Sequence, residues 1–406
     1  MRKLSGNSGI QKTEAGKNTT ESEAVTTESN GGTPESSGGT TGHDTLAVKP
    51  DRRLRVIKVI TAVVVFTLVF SAVQRLLVPK YASFALEGAL VREYYDSTRD
   101  HDLILIGDCE VYANFSTIGF WEDYGITSYI RGSPQQLMWH SYYLLEDTLR
   151  HARQMPQVVV FNIMSMQYGE PQREEYNRLT LDGMRMSMTK IRAIQASRFE
   201  DEDLLSYIFP LLRYKDYWSE LSSEDFRYFF RDPKVSIEGF MIRSDTVPVG
   251  FIPEPMRRAN YQFGDKAYHY LNRMVELTRE HGIELVLIKA PNLFPFWYEQ
   301  WDEQIINFAE ENNLLYINFL EYIDDIGLDF SVHTFNAGLH LNVFGAELMS
   351  RYFGEILVDE FGLPDRRGES DTAAVWNEMA EQYHRLISVQ LEEIAQTGKI
   401  SSFLIE

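Results

Sequence analysis

The chain has 406 residues, a formal charge of -20, and hydrophobic and aromatic fractions of 44% and 13%. That is enough to fill a core, and the charge excludes a polyanion-binding surface, which needs clustered Lys and Arg, so no nucleic acid is expected as a partner. An acidic body suits solubility, or a neutral or cationic small substrate. The single cysteine, Cys109, excludes an intrachain disulfide.

Residues 1–54 are rich in Ser, Thr, Gly and Glu and lack aromatics. They cannot bury enough apolar surface to offset their ordering entropy, so a disordered cytoplasmic tail is expected. Residues 55–78 read as a transmembrane helix. Val59 to Val73 carries no charge, and Lys58 and Arg75 can snorkel at the ends. A cleavable signal peptide is the rival, but the polar leader is too long, and Ser83-Phe-Ala85 is a poor cleavage site. Lys49, Arg52, Arg53, Arg55 and Lys58 precede or open the span, against Arg75 and Lys80 after it. The positive-inside rule then places a single-pass chain in the cell membrane, with everything after residue 80 extracytoplasmic.

After a linker (79–98), residues 99–364 alternate strand and helix. Leu103–Ile106, Thr127–Ile130, Val158–Phe161, Leu285–Ile288 and Leu315–Phe319 are short apolar runs, as parallel strands covered on both faces require. Gln135–Arg153, Ala267–His281, Glu299–Glu311 and Gly345–Glu360 read as helices between or after them. This order implies right-handed crossovers and a three-layer α/β sandwich. An aromatic and charged insertion over 168–262, with helices expected at Glu202–Trp218 and Ser223–Phe230, is long enough to cap the active face or bind a partner. Within 365–406, residues 371–396 read as one amphipathic helix, with Trp376, Met379, Tyr383, Ile387, Leu391 and Ile394 on its packing face.

Two motifs can carry chemistry. Ile104-Leu-Ile-Gly-Asp108-Cys109-Glu puts a thiol just after the first strand, at the sheet end where α/β proteins bind ligands. A helix opening there would lower the thiol pKa, and the Cys109 N–H could serve an oxyanion; a small buried cysteine under a turn is the plainer reading. The second motif, Thr334-Phe-Asn336-Ala-Gly-Leu-His340-Leu-Asn342-Val-Phe-Gly345, sets His340 in a glycine-bearing loop before a helix, where a base can face a nucleophile. Asn292-Leu-Phe-Pro-Phe-Trp297-Tyr-Glu-Gln-Trp301 follows a strand end, so Trp297 and Trp301, with Asp108, are candidates for a substrate cleft; helix packing is the alternative for the tryptophans. His333 and His340 have no acid or cysteine at ligand spacing, so neither a metal nor another cofactor is expected.

A Gly-Asp-Ser-like motif after the first strand, paired with a late His-Leu-Asn-x-x-Gly motif, resembles the SGNH/GDSL hydrolase superfamily. The stretches Tyr124 to Gln136, Tyr176 to Met184 and Leu287 to Asn292 are similar to a membrane-anchored Gram-positive branch, related to proteins of alginate acetylation and teichoic-acid D-alanylation. The resemblance implies a flavodoxin-like sandwich, the SGNH hydrolase fold. It gives Cys109 the nucleophile position and His340 the base. By order along the chain it gives Gly132 the oxyanion glycine. The Gly-x-Asn-Asp motif is missing, which leaves Asn162 or Asn177 as substitutes for its asparagine. The acid three residues before the histidine is replaced by Ala337, and Asn336 is the nearest candidate to orient the ring, as in Cys-His-Asn sites. The expected function is an acyl esterase or O-acyltransferase acting on an envelope glycan or related acceptor, beside a membrane-bound O-acyltransferase. The replaced serine and acid also suit a catalytically inactive binding or scaffold protein.

Overall fold

The computed structural model describes residues 52–97, 99–252 and 254–405, so the tail expected over residues 1–51 lies outside the described residues. The chain divides into two units, residues 1–60 and 61–406. Among the described residues one helix, Arg52–Leu77, is long and apolar enough to cross a membrane, and none of its residues is buried. Arg52, Arg53 and Leu54, read from sequence as tail, form its first turn. An apolar helix with no buried side chain is not covered by protein as a helix held in water would be.

The second unit is built on a five-stranded parallel sheet: β1 (Leu103–Gly107), β2 (Ser128–Gly132), β3 (Val158–Asn162), β4 (Glu284–Lys289) and β5 (Leu315–Asn318), in the order β2-β1-β3-β4-β5. The apolar runs are uninterrupted because both faces are covered. Leu103, Leu105, Val158, Val160, Val286 and Ile288 point into one hydrophobic cluster, and Ile104, Ile106, Val159, Phe161, Leu285 and Leu287 into the other. The first four strands each run one or two residues past their apolar run. Gly107, Gly132, Asn162 and Lys289 therefore finish the strands at the carboxyl edge of the sheet. Strand order reverses direction between β1 and β3, which is where such sheets open a crevice.

One face packs against Cys109–Asn114, Thr117–Tyr124, Val343–Phe361 and Ser370–Thr397, the other against Met138–His151, Asp265–Glu280 and Glu299–Asn312. The helix read from Gln135 starts only at Met138, because Gln135 takes a left-handed backbone (φ +48°) that a helix cannot contain. The helix read over Glu202–Trp218 is broken into Leu204–Ile208 and Leu211–Tyr214, since Pro210 supplies no N–H to continue the first. In the last helix Trp376, Tyr383 and Ile387 are buried, with the Trp376 ring stacked 5.4 Å from Trp121, whereas Leu391 is exposed.

The insertion does not form a single cap. Its stretch at Ile237–Phe240 lies along edge strand β2, where Ile130 N–H donates to the Glu238 carbonyl. Gly239 takes φ +88°, and a Cβ there would stand 2.1 Å from the Ile130 carbonyl oxygen, so only glycine fits. Further on, Val247 exchanges backbone hydrogen bonds with Thr334 and Ala337, which braces the His340 loop.

Candidate functional site

Cys109 opens the helix Cys109–Asn114 directly beyond β1, with Asp108 as the cap whose carboxylate accepts the Glu110 N–H at 3.2 Å. The far end of that short helix reaches the second motif. Asn114, fully buried, accepts the Leu341 N–H at 2.9 Å and donates to the Pro291 carbonyl at 2.9 Å. One side chain thus ties the helix of Cys109 to the residue beside His340 and to the loop after β4.

The His340 loop is held by short-range bonds. Thr334 Oγ1 donates to the His340 carbonyl at 2.8 Å and accepts the Gly338 N–H at 2.8 Å. Gly338 sits at φ +90° with Leu293 and Val249 against it, so any Cβ would collide. Phe335 stacks on the imidazole at 5.6 Å, nearly parallel. His340 is 8% exposed, and its Nε2 is buried without a hydrogen-bond partner. It is therefore not bonded to the Cys109 sulfur.

Asn336 makes two contacts to this histidine. Its Oδ1 accepts the His340 backbone N–H at 2.7 Å and its Nδ2 lies 2.6 Å from Nδ1. The backbone N–H can only donate, so it fixes the amide with oxygen toward itself and NH2 toward the ring. Nδ1 must then accept, and the neutral ring carries its proton on Nε2. Burial, with the Lys289 charge adding, holds the His340 pKa down at about 4.

Beneath Cys109 lies a buried polar cluster at the ends of β1, β3 and β4. Lys289 Nζ pairs with Glu110 at 3.0 Å, and neither is appreciably exposed. Asn292 donates to Glu110 at 2.7 Å, and Asn162 donates to both Glu110 (2.9 Å) and Asp108 (3.1 Å). Asn162 Oδ1 accepts the Ala290 N–H at 3.1 Å, so the amide is fully engaged. Burial and the Glu110 charge push Asp108 up to about 7. Burial, and then the Asp108 and Glu110 charges, push the Cys109 thiol well above its ordinary range. The backbone amides of Gln135 and Cys109 favour the thiolate and oppose this only in part.

These facts correct several sequence readings. The helix N-terminus does not make Cys109 a thiolate, because two carboxylates flank it and the thiol, though partly exposed at its residue surface, is largely desolvated. Asn336 does contact the ring, but it presents NH2 to Nδ1, the reverse of the acceptor that a Cys-His-Asn site places there. Asn162 has no donor left for an oxyanion. Asn177 is buried in Glu174–Leu181 and donates to the Ser197 carbonyl, which commits its amide to packing. Asp108 is a buried helix cap. Trp301 is 2% exposed, stacked with Phe263, and Trp297 is half-buried with its Nε1 on Asp302 at 2.9 Å, so both belong to an aromatic packing cluster. Gly132 ends β2 opposite Gly107, with Tyr112 and the Asp108 carbonyl where a side chain would go.

Four residues were missed. Glu110 and Lys289 lay within quoted motifs, and a lysine interrupting a strand end next to Ala-Pro-Asn was the available signal. Gln135 bears on the thiol through its backbone amide, which favours the thiolate. Tyr168, whose phenol is pushed to about 12 by burial and by Asp108, Cys109 and Glu110, left no signal in the sequence. Among the described residues no group of three His, Cys, Asp or Glu could hold a metal ion. A cavity of about 490 Å³ lies instead by Asp102, Thr127, Arg366 and Trp376, at the opposite edge of the sheet, where Arg366 and Asp102 neutralise each other at 2.8 Å.

No family model matches the chain, and no curated protein matches it. Among solved structures it is similar to a provisionally assigned acylhydrolase from Bacteroides fragilis NCTC 9343, at 9% identity and a TM-score of 0.34. The match covers 66% of this chain and 95% of that one. A likeness so distant carries no inference about activity.

Proposed function

We propose that this is a single-pass protein of the outer face of the cell membrane, an SGNH-like domain with flavodoxin-like layering. In this reading it hydrolyses or transfers an acyl group, on an envelope glycan or related acceptor, through Cys109 and His340. One observation supports it most: Asn114, in the helix that Cys109 opens, holds the backbone next to His340. The imidazole Nε2 in that loop is left without a partner.

The chemistry follows from the neutral ground state. The thiol is attacked by no standing base, so His340 must take its proton as sulfur adds to the ester carbonyl. The C–O bond then breaks, the alcohol leaves with that proton, and a thioester remains on Cys109 until water or a sugar hydroxyl accepts the acyl group. The N–H groups of Gln135 and Cys109 would face the oxyanion. For this His340 must carry its proton on Nδ1, which requires the Asn336 amide to turn and give up the bond to the His340 N–H, at a cost of about 1–3 kcal/mol. A membrane-bound O-acyltransferase as acyl donor belongs to the same reading through the family resemblance.

The Asn336 amide also favours a second reading, a catalytically inactive SGNH-like domain that binds its glycan or partner. Intact-mass measurement of the purified chain with an activated acetyl ester separates the two. The enzymatic reading expects one acetyl group on the wild type and none on Cys109→Ala. No acetylation of either would leave the binding reading.

A further inference from the structure

We infer that the insertion segment Leu204–Phe230 lies in the lipid interface beside the membrane helix, with its exposed apolar side chains in the outer part of the bilayer. The inference rests on the helix Arg52–Leu77 crossing a membrane. Leu204–Ile208 and Leu211–Tyr214 turn Tyr207 and Tyr214 inward, both buried, and leave Leu205, Phe209 and Leu212 exposed at four- and three-residue steps. Phe226 and Phe230 extend the patch, and Phe230 is 86% exposed. So many large apolar groups in one stretch are unusual for a surface facing water.

The occupant is set by what the segment touches. The Phe209 ring packs edge-on against Phe70 of the membrane helix, 6.2 Å away. Phe70 lies five residues before Arg75, so at 1.5 Å per residue it stands roughly 7–8 Å inside the charged residue that ends the apolar span. Arg75 donates to the Phe229 carbonyl and pairs with Asp232 at 3.4 Å, and Lys80 pairs with Glu224. These bonds fix the C-terminal end of the segment to the last turn of the helix and the residues just after it, while the Phe209–Phe70 contact holds its first half against the helix. If the helix spans, Phe209 cannot be in water.

Tryptophan reporters test this in the full chain. Trp121, Trp139, Trp301 and Trp376 are buried and Trp297 is half-buried, so the native background is nearly silent to lipid except for Trp218. Phe209→Trp and Phe230→Trp would be placed in nanodiscs of phosphatidylcholine and phosphatidylglycerol, with and without bromine on the acyl chains. Each added indole should lose at least half its emission to the brominated lipid. No added quenching in either variant, in chain that resists alkaline carbonate extraction, would overturn the inference while leaving the anchor, and would assign the patch to a protein partner. Release by carbonate would overturn the anchor itself, and the lipid contact with it.

Discussion

The amide nitrogen of Asn336 lies 2.6 Å from Nδ1 of His340 while the amide oxygen accepts that histidine's own N–H at 2.7 Å. An aspartate in the same place could accept from both. The asparagine instead donates to the ring, and a ring that accepts on Nδ1 cannot also accept a thiol proton on Nε2 without first moving a proton.

Asn336→Asp should therefore reverse the tautomer. The carboxylate would accept from Nδ1–H and raise the His340 pKa from about 4 toward or above its ordinary 6.5. Nitrogen NMR of the labelled imidazole would show it, and an unchanged tautomer would refute the amide assignment. On the enzymatic reading, acyl transfer should rise roughly 10- to 100-fold, the rate equivalent of about 1.4–2.7 kcal/mol.

Cys109 should alkylate slowly at neutral pH, with a rate still climbing above pH 9, because burial and the Asp108 and Glu110 charges oppose the thiolate. Asp108→Asn removes one of those charges while keeping a capping side chain, and should speed iodoacetamide labelling several-fold. A wild-type rate that levels off below pH 8 would contradict this electrostatic picture.

Lys289→Met leaves Glu110 charged and buried without its cation, and a loss of roughly 3–5 kcal/mol is expected. The double change Lys289→Met with Glu110→Leu removes both charges and should recover much of that loss. Denaturation of the single and double variants measures it. Equal destabilisation in both would mean that packing, rather than the unpaired charge, is responsible.

His340 gives a pH dependence of definite sign. Its folded pKa, near 4, lies below the unfolded value of 6.5, so between these the unfolded chain binds more protons. Its contribution is complete above pH 6.5 and is lost as pH falls toward 4. Asp108, raised to about 7, works in the opposite sense over the same range, so the wild-type curve is flattened. Replacing His340 by Gln should expose the opposing slope, with stability falling as pH rises from about 4 to 7. A variant curve parallel to that of the wild type would remove His340 from the balance.

Local sequence determined the apolar helix and the five strands, because each is a contiguous run whose hydrophobic period is visible within a few residues. It also placed Cys109 at a strand end and His340 before a helix. Whether those two groups can form a working pair depends on tertiary contacts: a backbone N–H that orients the Asn336 amide, Asn114 reaching across 227 positions to Leu341, and Lys289 at the end of β4 meeting Glu110 in the helix after β1. Proton positions and buried charges depend on which polar atoms meet after the strands have been ordered, and a linear pattern of residue types does not contain those meetings.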